Sequence, residues 1–468
     1  MKHSPRVPIN ALPDDAFLEI FKFYVDRIRH KDAWHTLVHV CRKWRYVVFS
    51  SPRWLHLELR CTNKSPVKKL LDIWPALPIV IDAYITNSRR SGVRNLIAAL
   101  KPHDVVCRIK IWRVPNSLLK SAAMKKRFPK LAGLMLSSNE SNAPVIPRSF
   151  LGGSAPRLRS LDFSGIPFPF PALGKLLLSA TNLVACHLLD IPNSGIISPD
   201  LIVTTLSTLT RLRKLSIGFR SPRSRADRER RHLSLLKRLV LPSLTDFYFE
   251  GDSEYLEDIV GRIDAPALDS VTIYFFNQLV FDTPLLRDFF GRTKPFQEPH
   301  RADVLVSIAI KFRLFQLKGT AEHCMLEVTI SSKVAEWQLS SLAQFCSSSL
   351  PPLPTLERLS IRDKESILVR PEWARDMESS PWLELLHPFV TVRDLVLQSE
   401  TAHRVALALQ ELTGNTVTDA LPALRQVFVD DVYFLGPIQE GFAPFIAARQ
   451  LSGHPVALRL IEAQKRSW

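Results

Sequence analysis

His35 and His39 lie four residues apart, with Cys41 close behind. On a helix that spacing puts two imidazoles on one face, where they could hold zinc. No H-E-x-x-H glutamate and no third ligand accompany them, so no metal site is expected. Gly174-Lys175 in "PALGKLLL" is the nearest approach to a phosphate loop. It lacks the upstream glycine of G-x-x-x-x-G-K and the Ser or Thr that follows the lysine. Asp430 and Asp431 are adjacent. On a strand, neighbours point to opposite faces and cannot act on one substrate. Neither G-x-S-x-G nor G-x-G-x-x-G occurs. Six cysteines (Cys41, Cys61, Cys107, Cys186, Cys324 and Cys346) are scattered without a C-x-x-C pair. They read as reduced thiols, which places the chain in the cytoplasm or nucleus. The expectation is a chain with no catalytic residue, metal or cofactor, whose work is done by surfaces.

Charge is the first guide to those surfaces. The 468 residues carry a formal charge of +17. Lys and Arg dominate up to residue 238, whereas 239–468 hold 21 basic against 30 acidic residues. A basic field attracts acidic partners, whether nucleic acid, anionic lipid or acidic protein. The densest basic run, Arg220–Arg238, also contains Asp227 and Glu229. It reads as a solvated loop before it reads as a phosphate-binding or nuclear-import signal, and "MKKRFPK" reads the same way. Glycine is scarce (16) and proline plentiful (34), which favours many short elements punctuated by proline. The first thirty residues contain no apolar run of about 7–15 residues, so no signal peptide is expected. No membrane span is expected either: "LLDIWPALPIVIDAYI" is interrupted by Asp72, Asp82 and two prolines.

The elements that would position a surface begin at the N-terminus. In "INALPDDAFLEIFKFYV", Asn10 could cap a helix, Pro13 suits a first turn, and Asp14 and Asp15 suit its positive end. Phe17, Ile20, Phe21 and Tyr24 then form an amphipathic stripe. "DAWHTLVHVCRKWRYVVFS" predicts a second helix, with Trp34, Leu37, Val40, Cys41, Trp44, Val47 and Val48 in helical rhythm and Pro52 as its stop. Such a domain of about fifty residues would be marginal alone, and a partner completing one apolar face would remedy that.

Leu12-Pro13, Leu18-Glu19-Ile20-Phe21, Leu37-x-x-Val40-Cys41-Arg42-Lys43-Trp44-Arg45 and Ser51-Pro52 with a following tryptophan resemble an F-box over residues 9–57. The loop "DRIRHKD" is longer and more basic than the family pattern, and the closing motif reads Pro52-Arg53-Trp54-Leu55. F-box proteins recruit substrates to cullin–RING ubiquitin ligases by docking on an SKP-type adaptor. The resemblance implies Leu12, Pro13, Ile20, Phe21, Val40, Cys41 and Trp44 as adaptor-facing residues, and other subunits as the site of ubiquitin transfer. The plain alternative is an ordinary helical cap with these residues as its core.

After residue 100 a pattern apolar-x-x-apolar-x-apolar recurs, as in Leu131-x-x-Leu134-x-Leu136 and Leu158-x-x-Leu161-x-Phe163. Many copies follow a proline two residues upstream, and the first six intervals run from 24 to 32 residues. Alternation at period two is a strand, and the intervening residues allow one helix. Strand plus helix at this period is the leucine-rich-repeat signature. The fold class is therefore α/β: residues 1–8 a tail, 9–57 the small helical module, and 58–468 an irregular leucine-rich-repeat solenoid. Together the two parts resemble F-box proteins with divergent leucine-rich repeats of the fungal type. Between Leu268 and Leu356 the spacing collapses, and one or two degenerate repeats are expected there.

In such a solenoid a parallel sheet lines the concave side, and the residues between the apolar strand positions face it. Those picked out for substrate are Arg108, Lys110, Trp112, Asp162, Lys214, Tyr248, Tyr274, Arg358, Arg362 and Phe428. Arg108, Arg358 and Arg362 would also suit a phosphate. The stripe is mixed in sign and carries aromatics, which favours a protein partner over nucleic acid. The reading is a substrate-recognition subunit: adaptor and, through it, cullin at one end, an unknown protein substrate at the other. Its rivals are a basic nucleic-acid- or phospholipid-binding repeat protein and a non-ligase scaffold.

Overall fold

The structure is a computed structural model of the chain. It describes residues 9–27, 33–50, 57–73, 77–85, 90–139, 145–167, 170–195, 197–222, 238–276, 280–293, 296, 298–307, 309–331, 335–363, 380–430 and 435–461. The closing motif around Pro52 and all but the ends of the basic run Arg220–Arg238 lie outside these residues. The chain divides into two compact units, 1–196 and 197–468. The division falls inside the expected repeats, not at 57/58.

Unit 1 opens with three helices: α1 (Asp14–Arg27), α2 (Ala33–Val40) and α3 (Arg42–Ser50). Asn10 does not start α1, because Ile9–Ala11 is a 3-10 turn. The Phe17 N–H donates to the Pro13 carbonyl at 3.2 Å, so the helix begins just after the proline, with two aspartates in its first turn. The single helix expected over 32–50 is broken at Cys41. Trp44 N–H donates to Cys41 Sγ at 3.4 Å and Arg45 N–H to the Cys41 carbonyl at 3.1 Å. Cys41 thus caps α3, its sulfur taking the place of a serine oxygen. Lys43 Nζ donates to the Leu12 carbonyl at 3.0 Å and lies 5.0 Å from the Phe17 ring centroid, tying α3 to the start of α1. Phe17 and Phe21 are buried, and their rings stand 5.7 and 4.8 Å from that of Trp44. Burying each such aromatic contributes about 2–3 kcal/mol.

Six parallel strands follow in chain order: β1 (Leu57–Cys61), β2 (Ile79–Tyr84), β3 (Val106–Trp112), β4 (Gly133–Ser137), β5 (Ser160–Ser164) and β6 (Ala185–Ile191). Two of them, β1 and β2, precede the repeat read from sequence.

Unit 2 contains β7 (Lys214–Phe219), β8 (Leu239–Val240), β9 (Asp246–Gly251), β10 (Ile263–Asp264), β11 (Ser270–Phe276), β12 (Arg301–Val306), β13 (Ile310–Lys318), β14 (Ala321–Ser331), β15 (Arg358–Asp363), β16 (Asp394–Gln398), β17 (Gln426–Asp430) and β18 (Ala457–Ile461). Its sheet runs β7-β9-β11-β14-β13-β12-β15-β16-β17-β18, and β8 pairs with β10 apart from it. The stretch expected to hold degenerate repeats is instead an antiparallel meander. β13 pairs antiparallel to both β12 and β14, while β14 joins β11 and β12 joins β15 in parallel. Gly319, at φ 62, begins the two-residue turn between β13 and β14, a position that favours glycine.

The upstream proline has a mechanical explanation. In Ala155-Pro156-Arg157-Leu158 the Leu158 N–H donates to the Ala155 carbonyl at 3.1 Å. The same closure recurs at Leu244 to Leu241, Leu268 to Ala265, Leu356 to Leu353 and Leu424 to Leu421. Proline takes the second position of a tight turn, which its fixed φ suits. Just downstream, one carbonyl accepts two consecutive N–H groups of the next repeat, as Ala132 does from Arg159 and Ser160, and Arg393 from Arg425 and Gln426. Side chains at the third turn position add a tie to the preceding repeat. Asn182 Nδ2 donates to Pro156 O (3.1 Å), Ser243 Oγ to Thr210 O (2.9 Å) and Thr391 Oγ1 to Leu353 O (2.8 Å).

Alternate strand residues are buried; in unit 2 Phe275 packs on Phe345 of helix Ala335–Ser349, and Phe219 and Phe249 on Tyr255 of helix Ser253–Val260. This is the strand–helix arrangement of a leucine-rich repeat, interrupted once by a meander. Among the described residues no helix is seen packed on the opposite face, here called the open face, where most strand residues are partly exposed.

Candidate interaction surfaces

The seven N-terminal residues separate into two sets. Pro13, Ile20 and Val40 are exposed, the last two at 42% and 55%. Phe21 corrects the expectation: at 4% exposure it belongs to the helical core, and a partner cannot reach it without unpacking α1. Trp44 is half-buried against it, and Leu12 and Cys41 are likewise intermediate, both engaged through the contacts to α3 described above. Phe23 and Tyr46, which the sequence reading passed over, are the most exposed large hydrophobic side chains among the described residues of these helices, at 72% and 68%. An open hollow of about 430 Å³ on α3 is lined by Arg42, Arg45, Tyr46, Phe49 and Ser50.

The open face of unit 1 is organised in rows by strand register. One row reads Arg60, Asp82, Lys110, Met135, Asp162 and His187 across β1 to β6. In a second row Tyr84 stands beside Trp112, which stands beside Ser137. Tyr84 and Trp112 are 53% and 41% exposed. Arg113, held at φ 56, lies 5.4 Å from the Tyr84 ring centroid. Arg108 lies over Gly133, where a Cβ would come within 3.2 Å of its Cγ. Neither Arg108 nor Lys110 has an ion-pair partner among the described residues. Asp162 is partly buried, which raises its carboxyl above the usual range despite the nearby His187. Tyr84 was missed in the sequence because the repeat was traced only from residue 100 onward, and Arg113 because it follows the end of β3, outside the period-two alternation.

In unit 2 most of the chosen residues are engaged with other residues of the same face. Lys214 pairs with Asp246 at 3.6 Å, and the Tyr248 hydroxyl donates to Glu250 at 2.9 Å. Burial, reinforced by Glu250, raises the Tyr248 hydroxyl. Tyr274 packs edge-on against Phe276 at 5.7 Å. Arg358 pairs with Asp394 at 3.3 Å; Arg362 pairs with Asp303 at 3.5 Å and donates to Ser360 Oγ at 2.9 Å. Both guanidinium groups already face carboxylates of their own sheet. The meander adds a denser set. Arg301 forks onto Asp303 at 2.9 and 2.7 Å and reaches Glu322 at 2.7 Å. Arg313 and Lys311 share Glu327 at 2.6 and 3.5 Å. Phe428 sits half-buried in a row with Val396 and Arg459.

All six cysteines are free. Burial, with Asp82 adding to it, pushes the Cys61 thiol up to about 12; burial, with Asp162 adding, does the same to Cys186. Neither is a ready nucleophile. Among the described residues no group of three or more His, Cys, Asp or Glu could hold a metal ion, and no helix is long and apolar enough to cross a membrane.

No family model and no curated protein matches the chain. Among solved structures, the leucine-rich repeat-containing protein LegL7 from Legionella pneumophila is matched over 85% of this chain and 98% of that one, at 14% identity and a TM-score of 0.29. At that score the fold rests on the strand pairing above.

Proposed function

We propose that this chain is a non-catalytic substrate-recognition subunit of a cullin–RING ubiquitin ligase, acting in the cytoplasm or nucleus. The N-terminal helices dock on an SKP-type adaptor, and the open sheet faces hold a protein substrate. The observation that carries this reading is the exposed apolar set on the N-terminal helices, Ile20 and Val40 together with Phe23, set in a sequence that resembles an F-box. Exposed large apolar side chains on a small helical module mark a surface that a partner covers. The strand–helix repeats supply rows of side chains at fixed spacing, the geometry that repeat proteins use to bind other proteins.

The test is capture of the full-length chain by a purified SKP-type adaptor. Ile20→Glu with Val40→Glu should cut capture by at least about tenfold while the far-ultraviolet circular dichroism stays unchanged. Phe21→Ala and Trp44→Ala are poor probes, because they empty the core. Absence of capture by the wild-type chain, or capture indifferent to the paired change, would sink the ligase reading. The polyanion reading would then lead, supported by the basic surplus of unit 1.

A further inference from the structure

Residues 1–196 hold 30 Lys and Arg against 12 Asp and Glu, while residues 197–468 hold 32 against 33. The surplus reaches the open face of unit 1 at β3. Arg108, Lys110 and Trp112 are alternate residues of this strand, so all three side chains leave the same face at intervals of about 6.8 Å. That interval is also the spacing of alternate side chains in an extended peptide.

We propose that β3 and its neighbours dock an extended, carboxylate-rich segment of a partner protein, with two alternate acids on Arg108 and Lys110 and a following aromatic or apolar side chain against Trp112 and Tyr84. The inference rests on the substrate-receptor reading and supplies the chemistry of the substrate.

Three observations carry it. First, Arg108 and Lys110 have no ion-pair partner among the described residues, whereas on the open face of unit 2 Lys214, Arg301, Lys311, Arg313, Arg358 and Arg362 all do, and Arg459 on the last strand stands alone without one. Second, the site is shaped for a chain to lie on it. Gly133 lets Arg108 lie across β4; Ser160 continues the Arg108 row on β5, and Ser137 and Ser164 continue the row of the exposed Trp112, so small residues flank both ends of β3. Third, the cations run along β3 but not across the sheet. In the Lys110 row, Asp82 stands on β2 and Asp162 on β5. A nucleic acid needs a cationic track many phosphates long, and those acids interrupt it. A short acidic peptide following β3 meets two cations and an aromatic end, where Arg113 over Tyr84 adds a third cation.

The experiment uses the full-length chain and a fluorescein-labelled peptide of about twelve residues that alternates Glu with Gly and ends its acidic stretch in Phe. Binding is read by fluorescence anisotropy. A matched peptide with Gln for Glu and a single-stranded RNA of similar length complete the set. The Glu peptide should bind in the micromolar range, and the Gln peptide at least about tenfold more weakly. Arg108→Glu with Lys110→Glu should weaken the Glu peptide by at least about tenfold, and Trp112→Ala by about three- to tenfold. Arg108→Gln with Lys110→Gln should follow in the same direction, which guards against misfolding of the charge-reversed protein. Arg358→Glu in unit 2 should change binding by less than about twofold. Equal binding of Glu and Gln peptides, no saturable binding, indifference to the β3 changes, or RNA that binds tighter than the peptide and is lost with the same residues would each overturn the proposal. Adaptor capture is measured on the same proteins. Peptide binding without adaptor capture removes the ligase reading and leaves the docking site standing; adaptor capture without peptide binding does the reverse.

Discussion

Unit 1 and unit 2 share strand–helix repeats and differ in how the cations on their open faces are paired. In both, tight turns close just before several of the strands, and a carbonyl gathers two N–H groups of the next repeat. On β3, Arg108 and Lys110 stand without ion partners. On β12, β13 and β15, guanidinium groups lie against carboxylates at 2.6 to 3.5 Å. The difference shows that strand spacing alone does not define a binding face. A cation already satisfied by its own chain has little to offer a ligand, because its pairing and desolvation are already settled. Around the meander the face of unit 2 ties its own strands together, while on β3 of unit 1 Arg108 and Lys110 are not so used.

The largest effect that would break this contrast concerns Asp303. Its side chain is 15% exposed and takes both prongs of Arg301 as well as Arg362. Removing it leaves two partly buried guanidinium groups without that acceptor. Asp303→Ala should lower the unfolding free energy by about 2–3 kcal/mol, seen as a lower urea midpoint. Arg108→Glu should move the midpoint by no more than about 0.5 kcal/mol equivalent. Equal losses would erase the distinction between a structural face and a binding face.

A smaller effect is read from pH. Burial pushes the Glu322 carboxyl upward, but Arg301 and His300 outweigh it and hold the group below the usual carboxylate range. A depressed folded value means that the contribution is present above the unfolded value, about 4.3, and is lost as pH falls through the folded one. Glu322→Gln should therefore lower the urea midpoint at neutral pH, and the gap from wild type should close as the solution is acidified.

Asp162 should show the smallest effect, of opposite sign. Its carboxyl is raised by burial, so folding favours the protonated form and the ionised form weakens unit 1. Asp162→Asn should be neutral or slightly stabilising at neutral pH, with the difference vanishing below the carboxylate range. Clear destabilisation in that experiment would show that Asp162 has a structural partner, and that unit 1's face is more settled than its geometry indicates.

The repeating strands were legible because burial on one face of a parallel sheet imposes period two, and the turn before each strand selects proline. Leu158, Leu244, Leu268, Leu356 and Leu424 all mark real strand entries. β2 was hidden by its run Ile79-Val80-Ile81, where Val80 is apolar although it lies in the open-face row with Arg108. Strand direction was not legible at all. Arg313 and Phe312 alternate as they would in a parallel strand, and only pairing reveals that β13 runs the other way. In the N-terminal helices, Phe17, Ile20, Phe21 and Tyr24 form one stripe in sequence. The structure turns Phe17 and Phe21 inward and leaves Ile20 outside, because Trp44 can occupy only one side of α1.

What the sequence determined by itself was the alternation of strands and helices, the places where turns close, and the concentration of positive charge in the first half. These follow from local rules, since side-chain period, proline geometry and net charge need no knowledge of distant neighbours. What only tertiary structure decided was which cations are already taken. Arg358 and Arg108 occupy equivalent places in the repeat pattern, yet one faces Asp394 across a strand boundary and the other lies over Gly133. The strand register brings a carboxylate to the first and no ion partner to the second, and register is a property of the assembled sheet.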